Sequence, residues 1–328
     1  MNDEFEFIKA ITPNMKKQSS LVVGIGDDAA VYRGTEEYDE VICVDTMVEG
    51  IHFRKDTLRP YQVGFKALAV NVSDLAAMGA IPQFYLVSIA IPASWEEFEV
   101  RELYHGMNEL ALKYDMDLIG GDTVSTSDKL VITVTVIGRV EKGKALLRGS
   151  AKAGDVVFVT GDVGLSAAGL ELLFKSGLDG QYTKEEQRLI EAHQLPLPQV
   201  KAGRMFIKSG FRIALNDISD GVASEAYEIA EASRVQLILE EQAIPLPKET
   251  STYSKEKRVN WALYGGEEFQ LIGTVSADKW EALRSICQQE GITLSKIGNV
   301  QDGETTVFLQ RNHDKIRIEK KGYNHFKK

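Results

Sequence analysis

Val23-Gly24-Ile25-Gly26-Asp27-Asp28-Ala29-Ala30 joins a short apolar run to two adjacent carboxylates through two glycines. Glycines let the backbone turn tightly and leave room for a ligand to approach. Aspartates are common turn residues in their own right, so a single Gly-Asp-Asp favours a surface turn. Repetition changes that reading. Ile42-Cys43-Val44 leads to Asp45, Leu118-Ile119-Gly120-Gly121 leads to Asp122, and Ile213-Ala214-Leu215-Asn216 leads to Asp217, with Asp220-Gly221 close behind. Asp74 is the only charge between Ala67 and Trp95. Acids of this kind repel one another if they converge, so convergence implies cations between them. Hard oxygen ligands point to Mg2+, which takes one or two carboxylates and completes its shell with water and substrate phosphates. A set this large therefore implies several ions around a polyphosphate.

The bulk composition narrows the partners. A chain of 328 residues exceeds what one core usually serves, so two domains are expected. With 44% hydrophobic and 26% charged residues it reads as a globular protein. The net charge of −10 argues against nucleic-acid or anionic-membrane partners. An anionic substrate would need metal ions as mediators, in agreement with the acid pattern. Cys43 and Cys287 are too few for a disulfide framework; both read as buried core thiols of a reducing, cytoplasmic compartment. The opening MNDEFEFIKA is acidic and lacks an apolar core segment, so no secretory signal is expected. The uncharged run from Leu75 to Trp95 is long enough to span a bilayer, but Gly79, Pro82, Gln83 and Pro92 break it into core elements.

The pattern predicts a short helix over residues 4–10, a strand entering the Gly-Asp-Asp loop, and a strand over 40–44 ending at Asp45. A loop over 46–54 follows. Pro60 suits the first turn of a helix running to Met78, with Gly79 as its stop. Asp74 lies near that helix's C-terminus, where an acid opposes the dipole, and a bound cation would account for it. A buried strand over 84–91 precedes a helix opened by a Ser94/Glu97 capping box. A strand over 117–119 feeds the Gly-Gly-Asp turn. Residues 130–140 alternate with both faces apolar, which suggests cover on both sides, one of them a second subunit. The composition shift over 142–155 places a domain boundary between 1–141 and 142–328. Gly138, Gly143 and Lys144 match the phosphate-binding P-loop pattern, but Ala145 replaces its hydroxyl residue and no helix follows, so the match is rejected. In the second half, Gly161-Asp162-Val163-Gly164 before a helix serves either phosphate binding or packing. Thr183 and Glu186 box a helix, Asp220 fits an N-cap while Asp217 does not, and Ser276 caps a helix that Gly291 ends.

GIGDDAAV, VDTMVEGIHF, KALAVNVSDLAAMGA, DLIGGDT, NDISDG, YGGEEF and KGYNHF, in this order, resemble the thiamine-monophosphate kinase family. That resemblance runs nearly end to end. It implies a two-domain α/β (α+β layered) fold of the aminoimidazole ribonucleotide synthetase type. The N-terminal domain of that fold binds ATP and Mg2+ and dimerises through its sheet, and a C-terminal α/β domain completes the site. The implied activity is ATP-dependent phosphorylation of thiamine monophosphate to thiamine diphosphate, the last step of its biosynthesis. Implied Mg2+ ligands are Asp28, Asp45, Asp74, Asp122, Asp217 and Asp220, with Asp27 adjacent. Implied ATP contacts are Gly121, Asp122, Arg148 and Ser219, and implied substrate contacts are His52, Glu267 and Tyr323. Some relatives carry Ser-Thr where this chain has Cys43-Val44, so any metal contact there falls to backbone carbonyls.

The acceptor would be the substrate's own phosphate, largely dianionic at neutral pH because its second pKa is about 6. No general base is then required, and direct in-line transfer is expected. A selenophosphate synthetase would carry a reactive Cys in a glycine-rich N-terminal segment, and the hydrogenase-maturation relative ends in Cys; this chain has neither feature. A non-catalytic nucleotide-binding protein on the same scaffold would have lost acids, and none is lost.

Overall fold

The structure, a computed structural model, describes residues 19–24 and 26–321. The expected helix over 4–10 and the tail carrying Tyr323 lie outside the described residues.

The first sheet has six strands in the order β1 (Leu21–Val23), β2 (Ala30–Arg33), β3 (Tyr38–Val48), β6 (Val131–Glu141), β4 (Ile81–Pro92) and β5 (Asp117–Thr126). Only the β4–β5 pairing is parallel, the helical crossover between those strands being α2 (Glu97–Tyr114). On β6, Ile132, Val134 and Val136 are at most 1% exposed, packed under the helices, while Val131, Thr133, Thr135 and Ile137 are half-buried. Val44 beside β6, and Leu118, Ile119 and Val124 on the edge strand, are exposed apolar residues.

Helix α1 (Pro60–Ala77) is the axis of the molecule. Pro60 occupies its first position, and the Gln62 side-chain oxygen accepts from the Arg59 backbone N–H at 2.8 Å. Val63, Leu68, Val72, Leu75 and Ala76 bury it on nearly every side, as a helix apolar all round demands. Its contacts are backbone-close. A Cβ on Gly64 would lie 1.8 Å from the Leu103 carbonyl oxygen of α2, and one on Gly106 would lie 1.9 Å from that of Tyr61. Towards the C-terminal half, a Cβ on Gly203 of α5 (Val200–Ser209) would lie 2.1 Å from the Ala76 carbonyl oxygen.

The second sheet has seven strands: β13 (Asp314–Arg317), β12 (Thr306–Arg311), β9 (Gln236–Glu240), β11 (Leu294–Gln301), β7 (Asp155–Thr160), β10 (Leu271–Ser276) and β8 (Ile213–Asp217) in spatial order. Helices α6 (Val222–Ser233) and α7 (Lys255–Tyr264) pack with Val157, Val159 and Ile272 on one face. Helix α5 and α8 (Trp280–Gln289) pack with Phe158 and Leu215 on the other. The six residues of β7 are therefore all buried. Helices α3 (Leu165–Ser176) and α4 (Lys184–Gln194) form a hairpin, and Thr183 and Glu186 make the expected capping box at its second helix.

Several local expectations are corrected. Strand β3 runs through Asp45 to Val48. The Gly-Gly-Asp segment lies inside β5 instead of forming a turn, because Gly121 lets the neighbouring strand pass closely; a Cβ there would meet the Val87 carbonyl oxygen at 1.9 Å. Helix α2 starts at Glu97, with a reciprocal Glu96/Glu99 box; the Trp95 N–H bonded to the Pro92 oxygen turns the chain through Ser94 first. Gly221, not Asp220, is the N-cap of α6, and Ser276 leads into a short 3-10 turn without capping it. The rejected P-loop match is a turn in which Gly143 N–H donates to Asp39 at 2.8 Å. Both cysteines are buried, as expected, and no helix among the described residues is long and apolar enough to cross a membrane.

Gly64→Ala should force α1 and α2 apart. The expected loss is about 1–3 kcal/mol of unfolding free energy, as for an overpacked core, read by urea denaturation. Wild-type stability in that variant would contradict the backbone-to-backbone contact.

Candidate phosphate and metal site

A cavity of about 1370 Å³ opens between the two sheets, floored by α1. Its acidic end is built from three distant segments. Asp28 comes from the glycine loop before β2, Asp74 from the last turn of α1, and Asp217 from the end of β8; one oxygen of each lies within 4.8 Å of the others. Asp45 and Asp220 line the same cavity. Of the six expected metal ligands, three meet in one cluster and two more line the cavity around it. Asp122 is the exception, since with Gly121 it sits exposed on the edge strand β5 and does not line the cavity.

Helix α1 fixes this geometry with its polar residues. Ser73 Oγ donates to Asp217 at 2.7 Å. The Asn71 side-chain oxygen accepts from the Asp45 backbone N–H at 2.9 Å, and its amide donates to the Ala67 carbonyl at 3.0 Å. The buried Cys43 thiol donates to the Asn71 carbonyl at 3.4 Å.

The electrostatics are those of a site short of positive charge. Burial, then Asp45, Asp217 and Asp28, pushes the Asp74 carboxyl well above its ordinary range. Burial and Asp28 push Asp217 to about 8, and burial and Asp28 push Asp27 to about 7. Burial also raises Asp45. Arg148, from the segment between the domains, counters part of this charge. Its guanidinium pairs with Asp28 and Glu228, and its Nε donates to Asn216 at 3.1 Å. Even so, burial leaves Asp28 raised, and its second oxygen is buried without a hydrogen-bond partner. A buried orphan oxygen on one of three converging carboxylates is what a divalent cation satisfies. The residues therefore fit Mg2+.

Sequence reasoning missed Glu225. It accepts from Asn216 at 2.6 Å, from the Asp220 N–H at 3.1 Å and from Ser219 at 3.3 Å, so it shapes the whole NDISDG loop. A Glu in the first turn of α6 looks like a dipole partner in sequence, and nothing there marks its inward aim. Ile51, Phe53, Leu170 and Phe174 also line the cavity. His52 lines it too, its Nδ1 accepting from the Val48 N–H at 3.0 Å.

The Gly265-Gly266-Glu267-Glu268 turn splits its two acids. Glu267 N–H donates to the Ser219 carbonyl at 2.6 Å and Phe269 N–H to the Ile218 carbonyl at 2.9 Å, clipping the turn onto the NDISDG loop. Glu267 then faces the cavity. Glu268 turns away and accepts from Gly164 and Ser166 N–H at 2.9 and 3.3 Å, capping α3. The amides that a phosphate would have used there are thus taken, and the Gly161–Gly164 loop serves packing.

Fold and site together define a class: two α/β halves joined over a nest of carboxylates. The chain matches the family models of the AIR synthase related protein N-terminal domain over residues 26–140 and C-terminal domain over 152–310. Thiamine-monophosphate kinase of Bacillus subtilis (strain 168) is 51% identical over 327 residues, covering 99% of this chain and 100% of that protein. The Escherichia coli (strain K12) enzyme is 36% identical over 306 residues, covering 93% and 92%. The solved structure of AaThiL complexed with AMPPCP and TMP superposes with a TM-score of 0.83 at 30% identity, covering 99% of this chain and 97% of that one. The chain belongs to the thiamine-monophosphate kinase family.

The strained charge gives a sign that can be measured. A carboxyl whose folded pKa is raised contributes stability below the unfolded value of about 3.9 and loses it as pH rises through the folded value. For Asp217 that window ends at about 8. Asp217→Asn should therefore stabilise the metal-free protein by about 1–3 kcal/mol at pH 8 and far less at pH 4.5, followed by thermal unfolding in EDTA. Added Mg2+ should stabilise wild type more than the variant. Equal effects at both pH values would contradict the buried-charge reading.

Proposed function

We propose that this chain transfers the γ-phosphoryl group of ATP directly onto the phosphate of thiamine monophosphate, yielding thiamine diphosphate. The observation that carries the reading is the meeting of Asp28, Asp74 and Asp217, within 4.8 Å, in a cavity that Ile51, Phe53 and Phe174 also line. ATP is the co-substrate of the family. Asp28, Asp45, Asp74, Asp217 and Asp220 would hold Mg2+, which supplies the positive charge that lets two polyanions approach.

The remaining work falls to the chain's own groups. Arg148 is held beside Asp28 with donors suited to phosphate oxygens, and Ser219 lies in the NDISDG loop on the same wall. The apolar lining residues Ile51, Phe53 and Phe174 suit the flat rings of thiamine, and His52 and Glu267 line the same cavity. Tyr323 belongs to the same proposal from outside the described residues. The acceptor phosphate arrives ionised, so no side chain needs to remove a proton, and no phosphoenzyme forms. The assembly is a cytoplasmic homodimer formed through the open face of the first sheet. Asp122 and Gly121 lie on its exposed edge strand and would reach the phosphate site of the partner.

Asp74→Asn should lower kcat/KM on the order of a thousandfold with an unchanged circular dichroism spectrum. Asp122→Asn should do the same, and mixing the two inactive variants should restore part of the activity, because one site of each mixed dimer is intact. Turnover of thiamine but not of its monophosphate would overturn the substrate. Absence of complementation would place Asp122 out of the partner's site.

A further inference from the structure

Helix α1 carries a cation where helix cores rarely hold one. Lys66 is 0% exposed, and its Nζ lies 2.9 Å from Glu267 Oε1. Among the described residues this ion pair is the only polar contact the ammonium makes. An ammonium taken out of water at this cost requires a partner fixed in place.

That partner is itself held in an uncommon state. Glu267 has φ +63, a left-handed conformation that non-glycine residues adopt only when the surroundings impose it. Its carboxylate is 29% exposed, so it faces Lys66 within the protein while also facing the cavity. On the far side, His193 Nδ1 lies 3.5 Å from Glu267 Oε2 and 3.1 Å from Ser166 Oγ. One oxygen is thus directed by α1 and the other flanked from α4. The main chain of Glu267 is held separately, by its own N–H bond to the Ser219 carbonyl of the NDISDG loop.

We propose that Lys66 is a positioning residue for substrate recognition, its buried ammonium locking the Glu267 carboxylate in the single orientation that receives thiamine monophosphate. The inference rests on the reading of Glu267 as a substrate contact. Lys66 touches neither the substrate nor the phosphate-binding acids; it acts through Glu267. The groups facing Glu267 are Lys66 from α1, His193 from α4 and His52 from the loop after β3, while Glu268 points away to α3. Burial opposes the charge on Glu267, and Lys66 outweighs it, holding the carboxyl below its ordinary range. Burial, helped by Lys66, keeps His193 neutral, with its pKa down at about 3, so the countercharge for Glu267 comes from Lys66, whose own pKa burial lowers and Glu267 supports.

Steady-state kinetics on the full-length protein test this with Lys66→Met, Glu267→Gln and the double variant. In Lys66→Met the KM for thiamine monophosphate should rise about tenfold or more, with the KM for ATP and kcat within about threefold of wild type. Adding Glu267→Gln in that background should raise KM by less than about threefold further, because the two residues act as one unit. The ratio of variant to wild-type KM should grow as pH falls from 8 to 5.5, since Glu267 without Lys66 protonates more readily. The substrate phosphate titrates alike in both proteins and cancels in the ratio. An unchanged substrate KM in Lys66→Met, where Glu267→Gln raises it, would overturn the proposal alone; equal losses for both substrates would assign Lys66 to the fold and also overturn it. An unchanged KM in Glu267→Gln would remove the substrate role of Glu267 and the proposal with it. Should Lys66→Met fail to fold, Lys66→Gln is read by the same criteria.

Discussion

The mutual repulsion of carboxylates at the floor of the cavity is the constraint to which the rest of the molecule answers. Asp28, Asp74 and Asp217 are brought together from a loop, a helix end and a strand end that are remote in sequence. Three negative groups in partial burial cost free energy unless cations or protons arrive, and their raised pKa values express that cost. Packing over two sheets holds them in place against it. Binding of a cation and a polyphosphate relieves the repulsion, so the same arrangement that weakens the empty protein favours the loaded one.

Helix α1 converts that constraint into architecture. It is apolar all round, touches α2 and α5 backbone to backbone, and so belongs to both halves of the molecule. From Lys66 onward its polar residues are each committed to the site. Lys66 pairs with Glu267, Asn71 accepts from Asp45, and Ser73 donates to Asp217. Asp74 closes the helix at the end where its dipole is least hospitable to an acid. A shift of this one helix would disturb the carboxylate cluster and the Glu267 turn together.

Much of this was legible in the chain because the aspartates follow apolar strands or interrupt uncharged runs. Asp74 in KALAVNVSDLAAMGA and Asp217 in NDISDG announce themselves as charges without a solvent-facing pattern. Other parts were hidden for physical reasons. Lys66 and Glu225 carry no mark in the sequence, because a sequence shows residue type and spacing but not which way a charged group aims. The Gly-Gly-Asp segment looked like a turn because glycine is the usual breaker, whereas here it admits the Val87 carbonyl of a neighbouring strand. The separation of Asp122 from the other acids, and the division of labour between Glu267 and Glu268, depend on tertiary placement that no local pattern carries.

Anomalous diffraction from crystals grown with Mn2+ and a non-hydrolysable ATP analogue tests the central claim most directly. Manganese peaks are expected within coordinating distance, about 2.0–2.3 Å, of oxygens from Asp28, Asp74 and Asp217, with the analogue's phosphates on the opposite side of the ions. Peaks elsewhere, or a triphosphate seated away from these three carboxylates, would contradict the account.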